Sequence, residues 1–192
     1  MTGKSTSPDR NYPALFLALD EVLEALGEGR TGEDVLQRSF DGSADGFGAE
    51  KALLLLVEGS GPPSLRAVAS RGLSPDEVAA CESGHSVPGV SSSRIREALE
   101  RREPVMVQDP RLAGDNLSGA LRGRACSVIC APVCDPRTRE ALAVLYFQNE
   151  GVRNAFGEID RAWIEVYARA LGRALAGSRP ASSDAPSARE DR

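Results

Sequence analysis

Ser127-Val128-Ile129-Cys130-Ala131-Pro132-Val133, joined across Asp135-Pro136-Arg137-Thr138 to Ala141-Leu142-Ala143-Val144-Leu145-Tyr146-Phe147, is apolar at nearly every position. Both runs are rich in residues that pack well on a pleated surface. A strand with one wet face alternates apolar and polar side chains, so a continuous run belongs to a strand covered on both faces. Leu53-Leu54-Leu55-Leu56-Val57 is a third run of the same kind. These strands need one layer of structure above them and another below.

Working outward, a last helix is predicted over Gly157–Gly177, and a strand pair over Lys51–Glu58 and Ser64–Gly72, joined through Gly59-Ser60-Gly61-Pro62-Pro63. Pro13–Gly27 reads as a helix that opens on proline and stops at glycine. A second helix runs from Thr31, its N-cap, towards Phe47, with Asp41-Gly42-Ser43 and Asp45-Gly46 interrupting its second half. Ser74-Pro75-Asp76-Glu77 is a helix start with a capping box. Ser93–Arg102 is a further helix, Pro104–Gln108 a strand, and Asp109–Arg124 a polar, glycine-containing connection. The terminal helices can cover one sheet face. The stretch from Leu73 to Arg124 must cover the other, and it is too polar to do so by close packing alone. A ligand cavity is expected beneath it. Residues 1–11 and 178–192 are Ser/Pro-rich or highly charged and read as disordered, leaving 12–177 as one domain.

Composition narrows the function. The 192 residues carry 23 Lys+Arg against 28 Asp+Glu, a net charge of −5, which argues against nucleic acid as the main partner. One histidine removes multi-His metal sites and paired-His chemistry. No apolar run approaches the roughly 20 residues of a membrane span, and Met1–Pro13 has no signal-peptide core. Four cysteines read as cytoplasmic thiols, and no cofactor is expected.

The motifs weaken the case for catalysis. Gly27-Glu28-Gly29-Arg30-Thr31-Gly32 fits a dinucleotide fingerprint, but it lies between helices rather than between a strand and a helix. Cys126, Cys130 and Cys134 recur every four residues on a strand, roughly 13 Å apart. That is too far to share a zinc ion, and no metal site is expected. His85, in Gly84-His85-Ser86, has no nucleophile elbow to serve. Arg94 stands near a helix start, where a cation opposes the macrodipole, which points mildly to an acidic ligand or internal partner.

Several stretches, in order, resemble the GAF domain family: Gly48-Ala49-Glu50-Lys51-Ala52-Leu53-Leu54-Leu55-Leu56, Val68-Ala69-Ser70-Arg71-Gly72-Leu73-Ser74, the segment 91–105, Ser127–Val133, Ala143–Asn149 and Phe156–Asp160. The style is closest to GAF domains of enhancer-dependent transcription activators and forkhead-associated proteins. The resemblance implies an α+β fold, PAS-related, with a central antiparallel sheet of five to six strands. It places the terminal helices on one face and short helices and loops over a pocket on the other. Cyclic-nucleotide-binding members carry N-K…F-x-x-x-D-E; here Glu150 follows Asn149, and Arg161 follows Asp160. The Lys-to-Asp contact of that motif is lost, and Glu150 is expected to repel Asp160. The family's methionine sulfoxide reductase has a cysteine where Pro88-Gly89-Val90-Ser91 has serine.

The reading expects a non-enzymatic module that binds a small molecule or a signalling or transcription-regulator protein, without contacting nucleic acid or membrane. Pocket residues are expected to be Arg71, His85, Arg94, Asp109, Cys130 and Tyr146. Dimerisation is expected through the terminal helices, with Leu15, Leu19, Leu26, Trp163, Tyr167 and Leu171 in the interface. On the last helix Ile159, Trp163, Val166, Ala170 and Ala174 make one stripe, and Ile164, Tyr167, Leu171 and Leu175 a second. One stripe would pack on the sheet and the other on a partner. Two alternatives stay open: a thiol redox sensor or reductase using Cys81, Cys126, Cys130 or Cys134, with Cys126 beside Arg124 the best candidate, and a ligand-free dimerisation scaffold.

Overall fold

Covering both faces of the apolar strands takes two layers of helix. The computed structural model describes residues 10–30, 32–59, 64–85, 90–107, 126–150, 152 and 154–178. In order these form α1 (Tyr12–Gly27), α2 (Glu33–Gly46), β1 (Lys51–Glu58), β2 (Ser64–Arg71), α3 (Pro75–Glu82), α4 (Ser92–Arg101), β3 (Val105–Val107), β4 (Cys126–Cys134), β5 (Ala141–Glu150) and α5 (Glu158–Ser178). The described strands make one five-stranded sheet in the order β2-β1-β5-β4-β3, with every neighbouring pair antiparallel. This is the α+β architecture that the strand runs and the resemblance imply.

Alternate residues of the same strands build two separate cores. Ala52, Leu54, Leu56, Ile129, Ala131, Val133, Leu145 and Phe147 pack with α1, α2 and α5. Leu53, Leu55, Val128, Cys130, Val144 and Tyr146 pack with residues of α3, α4 and β3. Both sets are almost wholly buried.

The interruption expected in α2 does not occur. Gly42 lies inside the helix, where a Cβ would stand 3.2 Å from Ala18 Cβ of α1, and Gly46 is its last residue, where a Cβ would stand 2.3 Å from Leu15 Cγ. Both glycines serve the close approach of α1 and α2, and only Gly46 coincides with the helix end. Thr31 lies outside the described residues, and Gly32 occupies the N-cap position without a side-chain bond. Gly172 does the same work on α5, where an added Cβ would come within 2.2 Å of the Cys134 carbonyl oxygen. Helix α5 therefore lies directly on the backbone of β4. Pro132 is tolerated because β3 pairs only with Val128–Cys130, so the proline sits beyond that ladder.

The domain begins earlier than residue 12. Asn11 caps α1 by accepting from the Ala14 N–H at 3.2 Å. Arg10 makes a largely buried ion pair with Asp160, Nε to Oδ1 2.7 Å, and stacks over Phe156 at 5.0 Å. It also donates to the carbonyls of Phe47 and Ala155. One side chain thus ties the start of α1 to the start of α5.

The close approach at Gly172 predicts that Gly172→Ala costs about 1–3 kcal/mol, because α5 must lift from β4. Gly27→Ala, at a position with open space around it, is expected to be neutral or to stabilise by up to about 1 kcal/mol. Urea unfolding of the two variants checks the contrast.

Candidate functional site

The sheet face beneath α3 and α4 carries a line of polar groups through an otherwise apolar layer. Tyr146, Gln148 and Glu150 share that face of β5 by the two-residue period of a strand. At one end, the Ser91 N–H before α4 donates to Tyr146 Oη at 3.1 Å. Tyr146 in turn donates to Gln148 Oε1. The Gln148 amide donates to Glu150 Oε1 at 3.3 Å. Lys51 on β1, opposite Gln148 in register, holds Glu150 at 2.9 Å and Glu77 at 3.0 Å. Glu77 closes the capping box with Ser74 at the start of α3. The line therefore joins the N-termini of the two roof helices across the sheet. Tyr146 and Gln148 are completely buried within it.

Its charges are mutually stabilising. Burial pulls Lys51 down, but hydrogen bonds and charge from Glu150 and Glu77 more than reverse this and leave it raised. Burial pushes Glu77 up, while the Ser74 backbone N–H and Lys51 bring it below its ordinary range. Burial drives the Tyr146 phenol well above its usual value.

Three of the six expected pocket residues meet here. Tyr146 and Cys130 are opposite each other in register, and Arg94 on the first turn of α4 is buried close enough to act on the Cys130 thiol. Arg94 donates to Glu97 one turn on, so its cation has the internal partner that its placement suggested. The other three differ. Arg71 pairs with Asp45 of α2 and lies against the opposite layer. A bulge in β2 is the cause: Leu54 pairs with Ala69 but Leu55 with Ala67, and the extra residue turns Arg71 away from the roof side. His85 is exposed just past α3, with its backbone N–H on the Ala80 carbonyl. Asp109 lies outside the described residues. Gln148, Lys51 and Glu77 were missed, although polar residues at two-residue spacing at the end of an apolar strand were a readable signal.

The repulsion expected between Glu150 and Asp160 is absent. Glu150 pairs with Lys51, and Asp160 pairs with Arg10. A cation for Asp160 is supplied after all, from the N-terminal segment instead of from the position after Asn149.

Between α3 and α4 lies a cleft of about 250 Å³ lined by Cys81, Ile95, Arg96 and Leu99, somewhat below the roughly 300–1,000 Å³ of typical ligand sites. Three of the thiols are poorly disposed to ionise. Burial raises Cys81 to about 11 and raises Cys130 and Cys134 as well. Among the described residues no three His, Cys, Asp or Glu side chains gather as a metal site.

The expected interface residues divide. Leu15, Tyr167 and Leu171 are core, Tyr167 donating to Ser39 Oγ at 2.7 Å. Leu19, Leu26 and Trp163 are partly buried. The apolar surface left open instead comprises Phe16, Leu17, Leu23, Ile159 and Val166, with Phe16 set edge-on to Trp163 at 4.8 Å. On α5 the second stripe packs inward throughout. The first is exposed in the first half of the helix, at Ile159 and Val166, and becomes buried beyond it, because Ala170 and Ala174 are small enough to lie inside the three-helix layer.

A family model described as "GAF domain" matches residues 29–176. Among solved structures, the chain is similar to the GAF domain of an Acinetobacter phosphoenolpyruvate-protein phosphotransferase, at 18% identity and TM-score 0.57, covering 84% of this chain and 92% of that one. It is similar to an A. aeolicus nlh2 GAF domain, at 19% identity and TM-score 0.55 over 85% and 96%. It is also similar to fRMsr of Staphylococcus aureus in complex with substrate, at 16% identity and TM-score 0.60 over 88% and 99%. At these identities the likeness establishes the fold. No curated protein matches the chain in sequence.

Two outcomes are expected. In Lys51→Met, stability falls by about 1–2 kcal/mol at neutral pH, allowing for partial exposure of the charges. The depressed Glu77 contributes above its ordinary value of 4.5 and loses that contribution as the pH falls through its lowered value. The raised Lys51 contributes below 10.5 and loses it as the pH rises through its raised value. The gap between wild type and variant should therefore be widest between those limits and narrow in acid, as read by denaturant melts across pH. For the thiols, a disulfide reagent at pH 8 should react first with half-buried Cys134. Cys81, Cys126 and Cys130 should need unfolding, as peptide mapping would reveal.

Proposed function

The chain belongs to the GAF domain family, and we propose that it works as a non-enzymatic sensory or regulatory module. In this reading a small molecule binds beneath α3 and α4, and the open faces of α1 and α5 carry a second copy of the chain. Its setting would be cytoplasmic signalling or transcription control in bacteria.

The observation that carries the reading is the polar line from Ser91 through Tyr146, Gln148, Glu150 and Lys51 to Glu77. It anchors both roof helices by their N-termini to one sheet, so a ligand that shifts either helix must act on the same set of bonds. The line is made of hydrogen bonds and ion pairs between groups with opposed preferences. It has no nucleophile beside a base. The raised Cys81 and Cys130 thiols weigh against the thiol-reductase alternative. The ligand-free scaffold is favoured by one feature, the complete burial of Tyr146 and Cys130 by the chain's own side chains.

A thermal-shift screen of nucleotides, amino acids and organic acids separates these readings. A sensor is expected to gain several degrees with one class, and Tyr146→Phe should remove most of that gain. If no compound raises the melting temperature, the ligand-binding reading fails and the scaffold reading stands. Sedimentation at micromolar concentration should give a dimer, and Phe16→Glu with Ile159→Glu should convert it to monomer. A wild-type chain that is monomeric there would refute the proposed interface.

A further inference from the structure

A second, larger cleft lies away from the roof, at the sheet edge where β3 begins. It encloses about 510 Å³, within the range of small-molecule sites. One wall is a stripe of α5: Arg161, Glu165, Ala168, Arg169 and Arg173. Opposite it stand Arg102 and Glu103, just past α4, and Arg139 of the β4–β5 turn. Pro104, Pro132 and Pro136, with Cys134, form the apolar floor and end.

Five arginines and two glutamates line this space in a chain whose net charge is −5. Glu165 is already engaged: its carboxylate takes Arg161 at 3.2 Å and its carbonyl takes Arg169 at 3.3 Å. Arg102, Arg139 and Arg173 have no carboxylate partner among the described residues. Two of them also sit in strained backbone. Arg102 and Arg139 hold φ of 56° and 64°, and the remaining described non-glycine residue with positive φ is Asn154. Asparagine enters that region readily; arginine does not, and glycine would be the stabilising choice at both positions.

We propose that this cleft is a binding site for a small polyphosphate, whose charge lies between the α5 arginines and the Arg102–Arg139 side. Guanidinium forks match phosphate oxygens in paired hydrogen bonds, and cations on both walls suit an anion with several charged groups. The proline floor offers a nonpolar surface to an attached nucleoside. The site is separate from the roof-side line and does not depend on the sensory reading of it.

The test uses the whole chain with inorganic triphosphate, ATP and citrate as probes, by calorimetry at low salt. Triphosphate is expected to bind with one site, ATP more tightly, and citrate at least about tenfold more weakly than triphosphate. The variant Arg102→Gly with Arg139→Gly relieves the left-handed arginines, so its melting temperature should rise while triphosphate affinity falls at least about tenfold. Arg173→Ser should weaken binding with the melting temperature unchanged. Tyr146→Phe, on the roof side, should bind triphosphate as wild type does. The proposal is overturned if triphosphate does not bind, if citrate binds equally well, or if affinity survives the arginine substitutions. Loss of binding in Tyr146→Phe alone would place the anion under the roof and equally refute it.

Discussion

The structure depends on one constraint: β1, β4 and β5 are apolar on both faces, so neither face can meet water. At about 25 cal/mol per Å² of apolar surface, leaving one face of such a sheet open would cost far more than a domain's net stability. Everything else follows from the two ways in which the faces are covered. The α1, α2 and α5 layer is closed by tight helix crossings, with glycines at the nearest approaches. The α3 and α4 layer is closed by shorter helices held at their N-termini by polar bonds to the sheet.

That difference in construction separates two kinds of work. The first layer has little freedom, because Gly46 and Gly172 leave no room for an extra methyl group and Arg10 bolts the start of α1 to Asp160. The second layer is attached through hydrogen bonds and ion pairs that can exchange partners at lower cost than a packed core can deform. A module of this design is rigid in the first layer and adjustable in the second. The arginine cleft belongs to neither layer. It exists because α5 and β4 run on beyond the first residue of a short β3, leaving part of the β4 edge without a strand beside it.

Much of the architecture was legible in the residues. The capping box at Ser74 and Glu77 and the bounds of β1 follow from local rules, whereas Tyr167 and Leu171, expected in an interface, pack inward. The site was legible only in part. Tyr146, Cys130 and Arg94 could be gathered because strand period and helix position place them on one face. Arg71 could not, because a single bulged residue in β2 reverses the side on which it emerges. The mutual repulsion expected of Glu150 and Asp160 failed for a related reason. Each finds its cation on an element distant in sequence, Lys51 in one case and Arg10 in the other.

By itself, the sequence determined that strands covered on both faces must lie between two layers, and that histidine-based and metal chemistry had few residues to use. Hydrophobic period and composition are local quantities, and they suffice for such statements. Only the tertiary structure decided which charges pair, which glycines are contact points and where cations converge. Those outcomes depend on register, bulges and helix crossings, which bring together residues as far apart as Arg10 and Asp160, or Arg102 and Arg173. No local pattern encodes such distances, because each is set by the packing of the whole chain.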